Sequence, residues 1–162
     1  MEIPVNPVAI PVAAVAALVI GAIWYNPNVG FGNVWMRESG MTEEKMKSGK
    51  IGIIFGLALV FSVLLAFLLM QFTIHQFGAL GMIGANPEQA KPSYEAFMND
   101  YGNTFRTFKH GALHGAIFGV LGALPIIGTV ALFERKSAKY ILINSGYWIV
   151  TTTVMGALLC GL

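Results

Sequence analysis

The chain has 162 residues, of which 56% are hydrophobic and 11% charged, with a formal net charge of +2 and a mean hydropathy of +0.67. Soluble domains carry about 25% charged residues, so a water-soluble fold is excluded and a lipid bilayer is the expected solvent. The small charge, with no basic block, argues against nucleic acid as a partner. The single cysteine, Cys160, rules out an intrachain disulfide and any iron–sulfur or cysteine-cluster zinc site.

In chain order, the first apolar segment covers about 5–25. It has no positive stretch ahead of it, carries Glu2 and runs on to Trp24 and Tyr25, so it reads as a retained span and not a cleavable signal. Pro4, Pro7 and Pro11 crowd its start. Proline suits a first helical turn, but Pro11 is expected to bend the helix. Residues 26–50 form a loop. In it "NPNVGFGNVW" is rich in turn formers, and Thr42 is expected to cap a short helix with Glu43 and Glu44 in its first turn.

The second segment, about 51–77, is the longest, and its far end "MQFTIHQF" should reach headgroup level. In the loop that follows, Ser93 is expected to cap a helix bearing Tyr94, Phe97, Met98 and Tyr101 on one face. That helix should lie flat at the interface, or form a lid, with Glu95 and Asp100 toward water. The third segment, about 108–133, contains Pro125 as an expected kink. The tight turn 134–139 leads to the fourth, about 140–162. The expected fold is therefore an all-α integral membrane protein: one domain, 1–162, of four transmembrane helices in a compact bundle with a short interfacial helix in the outer loop.

Basic residues set the expected orientation. Loop 26–50 holds Arg37, Lys45, Lys47 and Lys50, and the turn 134–139 holds Arg135, Lys136 and Lys139, together seven of the ten. By the positive-inside rule these loops are cytoplasmic and both termini lie outside. Small residues four apart mark close helix packing: Ala13, Ala17 and Gly21 on the first helix, Gly52 and Gly56 on the second, and Gly111, Gly115, Gly119 and Ala123 on the third. Such rows can also serve a homo-oligomer or a larger membrane complex.

"GAIWYNP", "FGNVWM" and "GMTEEKM", with "ALFERKSAKYILINSGYWIVTTTVMGALL" near the end, give the chain a resemblance to the bacterial membrane proteins grouped as domain-of-unknown-function family 1761. The resemblance implies a small four-helix protein, consistent with a bacterial inner membrane. It supplies no reaction, ligand or catalytic residue.

Two of the three histidines, His110 and His114, stand four apart, so on a helix they share a face. The second helix ends where the third begins, which puts His75 at the same level. Three imidazoles near one interface suit zinc, copper or, with histidines on different helices, haem. Gln71, Gln76, Glu95 and Asp100 are candidates to approach them. The plainer alternative is histidines resting at headgroup level and bonding loop backbone, and a pH-sensing role is a variant. A second polar patch, Tyr25, Asn26, Asn144, Ser145 and Tyr147, reads as structural glue between helices. Thr151, Thr152 and Thr153 are expected to bond their own helix carbonyls, Trp24, Tyr25, Trp35 and Tyr140 to anchor at the interface, and Trp148 to pack deeper. No nucleophile–base pair, phosphate loop or intramembrane acidic pair is visible, so no enzyme is expected. The leading functional expectation is a structural or accessory assembly subunit. The alternatives are a metal- or haem-binding membrane protein using the histidines and, more weakly, an oligomeric small-solute transporter.

Overall fold

The computed structural model describes residues 5–162; Glu2 and Pro4 lie outside the described residues. Among these the chain is entirely helical, with no strand. Three helices are long and apolar enough to cross a membrane: Ile51–Thr73, Phe108–Phe133 and Ala138–Gly161. That is the signature of an integral membrane protein. The first helix, α1 (Ala9–Trp24), is equally apolar but has 16 residues.

Because α1 begins at Ala9, Pro11 falls in its first turn. The N–H groups there have no intrahelical partner, so the expected bend has no cause. Loop 26–50 holds two helices where one was expected. α2 (Gly32–Ser39) follows a turn in which Gly30 and Gly32 press against the carbonyls of Ile23, Trp24 and Tyr25. α3 (Glu43–Ser48) is capped as expected, the Thr42 hydroxyl accepting from the Lys45 N–H at 3.2 Å.

α4 (Ile51–Thr73) stops four residues short of the expected end, because Ile74 turns extended. His75 then starts α5 (Gln76–Met82). α6 (Pro92–Tyr101) is preceded by Lys91 with Pro92 in its first turn, so the expected Ser93 cap is displaced. Tyr94 and Met98 are buried beneath α6, whereas Phe97 and Tyr101 stay half exposed and Glu95 and Asp100 face outward. The four side chains thus divide between two directions.

The third apolar segment is one rod in two parts, α7 (Phe108–Phe118) and α8 (Leu124–Phe133), joined by a π turn over Gly119–Ala123. Pro125 lacks an N–H and crowds the carbonyl four residues back. The widened turn accommodates it, where a simple kink was expected. α9 (Ala138–Gly161) begins two residues early, with the Ser137 hydroxyl accepting from the Tyr140 N–H at 3.1 Å.

α9 is the hub. Against it, Gly111 and Gly115 approach the backbone of Gly156 and Thr152 so closely that any side chain would collide, and a methyl at Gly119 would meet Ile149 Cα at 2.6 Å. This is the expected glycine seam, and it runs antiparallel. On the other side Ala9, Ala13 and Ala17 of α1 join Ala66, Leu69, Met70 and Ile74 with Met155 and Leu159 in the core. Gly52 and Gly56 behave differently. Both are exposed, and a methyl on either would have no neighbour within 4 Å, so that row packs against nothing among the described residues.

Candidate metal centre

Three local features aim the histidines. The glycine seam fixes α7 against α9, and His110 and His114 each precede a seam glycine, about 100° around the helix. The Thr107 hydroxyl caps α7 by accepting from the His110 N–H at 3.2 Å. His75 sits where the chain leaves α4 and turns back toward the start of α7.

The three rings meet. Their centroids lie 4.8 Å apart for His75–His110, 4.7 Å for His75–His114 and 4.4 Å for His110–His114. His75 Nε2 and His110 Nε2 are at hydrogen-bond distance, 2.9 Å. One donor nitrogen from each histidine lies within 4.8 Å of the others. A tetrahedral ion with nitrogens at 2.0–2.1 Å sets its ligands about 3.3 Å apart, so small rotamer changes would bring the set onto one ion. No carboxylate belongs to this group among the described residues, so Glu95 and Asp100 stand away from it. The 2.9 Å contact also leaves no gap for a porphyrin between those two rings.

Phe105 completes one side. Its φ of +64° is in the left-handed region, costly for a bulky side chain. That turn stacks its ring on His110 at 4.9 Å with a 20° tilt and sets it edge-on to His75 at 6.4 Å. Its carbonyl, with that of Thr73, receives the buried Cys160 thiol at 3.3 Å each. Neither Phe105 nor Cys160 was expected at the site. The positive φ leaves no trace in composition, and the thiol is placed only by tertiary packing. Gln76 is buried beside His75, its Nε2 donating to the carbonyls of Tyr101 at 3.1 Å and Thr104 at 3.0 Å. Gln71 is exposed.

The other polar patch joins helices at the far end. Tyr25 Oη donates to Asn144 Oδ1 at 2.9 Å, and Tyr147 Oη donates to the Ala17 carbonyl at 3.1 Å. Asn26 instead closes a local turn, accepting from Asn28 and Val29 N–H groups at 2.8 and 3.3 Å. Ser145 is buried without a side-chain hydrogen bond among the described residues. Trp24, expected as an interface anchor, donates to the Ile143 carbonyl at 3.0 Å and packs on Gly146. Thr152 and Thr153 bond back to Trp148 and Ile149 carbonyls at 2.8 and 2.6 Å as expected, whereas Thr151 Oγ1 does not. At the same end the Ser137 hydroxyl donates to Glu38 at 2.6 Å, and Arg37 pairs with that carboxylate at 3.1 Å. These contacts, first the hydroxyl and then the guanidinium, hold Glu38 below the usual carboxylate range.

Three helices long and apolar enough to cross a membrane, with three imidazoles converging where two of them meet, give the chain the character of a membrane protein with a histidine-lined site. The family model described as "Protein of unknown function (DUF1761)" matches residues 8–160, and the chain belongs to that family. No curated protein and no solved structure matches it.

Proposed function

We propose that this protein binds a single transition-metal ion at the membrane interface through His75, His110 and His114. One observation carries the reading: donor nitrogens from three histidines on two separate segments lie within 4.8 Å of one another. Ionisable side chains in spanning segments are functional by default, and three neutral imidazoles with an open fourth position match the ligand set of zinc sites that keep a water or substrate. Copper is the competing ion. Polar-poor spans equally suit an accessory subunit, but that reading leaves the convergence of the rings without a purpose.

The proposed topology follows from charge. All three long helices and α1 span, the loops carrying Arg37 and Lys136 face the cytoplasm, and the histidines lie outside, in a bacterial inner membrane. The contacts of Glu38 with Ser137 and of Lys136 with Ser39 support a common side for those loops.

Metal analysis tests the function. Protein purified in mild detergent, stripped with chelator and reloaded with zinc or copper, is expected to retain one ion per chain. The changes His75→Ala, His110→Ala and His114→Ala should each weaken binding by at least about 100-fold. A wild-type protein that retains no more metal than the His110→Ala, His114→Ala double variant overturns the proposal and leaves the accessory reading. Reporter fusions after Ser137 and Ser93 should read cytoplasmic and external; the reverse overturns the topology.

A further inference from the structure

Away from the histidines, two cavities of about 240 and 300 Å³ lie between α4, α8 and α9. They share Ile126, Ile127 and Trp148, so they form one continuous groove. It stands open because α4 gives no cover over its first half, where no residue from Ile51 to Phe61 is buried. Leu65, Phe118 and Ala123 line the inner end, which is apolar. Glu134, Tyr140 and Asn144 line the mouth, beside the 134–139 turn. Ile126 and Val130 on the rim are exposed, whereas Ile127 and Trp148 are half-buried, so the groove opens sideways, toward the bilayer.

Length and charge together identify the occupant. Along α9 the groove runs from Tyr140 to Thr152, a rise of about 18 Å. One leaflet of hydrocarbon is about 15 Å deep. A groove one leaflet long, polar at the surface and apolar inward, matches an acyl chain below its headgroup. The turn at the mouth sets Arg135, Lys136 and Lys139 against Glu134. Arg135 and Lys139 are exposed and make no ion pair among the described residues, and Lys136 Nζ stands 5.5 Å from the centroid of the Tyr140 ring. Basic clusters at the ends of spanning helices attract anionic headgroups. A second copy of this chain, itself at +2, has no such attraction to that mouth. We infer that the groove holds one anionic phospholipid, an acyl chain along Trp148, Ile127 and Ala123 and the phosphate at Arg135, Lys136 and Lys139. This rests on the third and fourth apolar segments crossing the bilayer and not on the metal centre.

Trp148 supplies the readout. The full chain is placed in phosphatidylcholine nanodiscs containing a rising fraction of phosphatidylglycerol brominated along its acyl chains, which quenches tryptophan on contact. Subtracting the signal of Trp148→Phe isolates Trp148 from Trp24 and Trp35. Quenching should saturate at a low fraction of the anionic lipid, about tenfold below that needed with brominated phosphatidylcholine in the same discs. Arg135→Gln with Lys139→Gln, both at exposed positions, should bring that ratio close to one while Trp148 stays quenchable. Ala123→Phe narrows the apolar end and should lower the quenching of Trp148 by either lipid. Should that variant fold poorly, the titration and the charge pair decide alone. Quenching in simple proportion to the lipid fraction, the same for both headgroups, means ordinary surrounding lipid and overturns the site. A tenfold ratio that survives the charge pair overturns the role of the turn. A Trp148 that no brominated lipid reaches, in a particle with the mass of two chains, assigns the groove to a second copy and equally overturns the proposal. Metal retention plays no part in this readout, so failure of the groove and failure of the metal centre are distinguishable.

Discussion

At the loop end of the bundle, Tyr25 donates to Asn144, Trp24 to the Ile143 carbonyl and Ser137 to Glu38. At the histidine end, three imidazoles crowd together, Phe105 holds a left-handed backbone, and Gln76 Oε1 has no partner. Both ends draw on the same kinds of side chain. The loop end pairs most of its groups off between helices, Ser145 excepted, so its polar residues hold helices together. The histidine end instead gathers three donor nitrogens within 4.8 Å of one another, the arrangement of a site that awaits a ligand.

The sharpest way to break this comparison is to disturb the seam that supports the histidines. Gly115→Ala puts a methyl into the Thr152 backbone, which cannot yield as a side chain would. A loss of about 3 kcal/mol or more is expected, read as the unfolding midpoint in detergent together with lost metal retention. Gly56→Ala, with open space around it, should be neutral or up to about 1 kcal/mol stabilising. Similar effects of the two changes would sink the seam. Next in size, Tyr25→Phe removes a hydrogen bond between helices and should cost about 1 kcal/mol while leaving metal affinity unchanged. A matching loss of metal would show the two ends to be one coupled unit.

The smallest effect concerns Glu38. Its carboxyl titrates lower in the folded protein than in the unfolded chain. It therefore adds stability above the ordinary carboxylate range, and that contribution fades as pH falls through the folded value. Ser137→Ala should shallow the acid limb of the stability profile, and Glu38→Gln should remove that contribution. Neither should alter the histidine end. Acid acts there by a separate route, since ligating imidazoles must be neutral and protonation releases the ion.

Much of this was legible in the sequence, because hydropathy and small-residue spacing act locally. The long apolar segments, the Thr42 cap and the α7 glycine row all follow from residue type at fixed intervals. So does the gathering of three histidines at one end, since connectivity alone brings the close of α4 to the start of α7. What escaped was set by contacts distant in sequence. The row Gly52 and Gly56 has the same spacing as Gly111 and Gly115, yet only the latter meets another backbone. The break at Ile74, the extra helix α2 and the left-handed turn at Phe105 depend on what packs against them, and no periodic signal announces them.

The π turn in the third apolar rod keeps phase. Twelve residues separate Gly119 from Ala131, and at 100° per residue a uniform α-helix would carry Ala131 about 120° away from the line of glycines. The wider turn takes up one residue without advancing the helix face, which cuts that offset to about 20°. Ala131 is accordingly buried at 1% exposure. A rod that would otherwise spiral off its neighbour is reset midway, so its upper and lower halves address the same helix, α9. Deleting one residue between Gly119 and Ala123 would keep both halves in phase but set Pro125 against the carbonyl four residues back. Inserting one there would swing the lower half toward lipid.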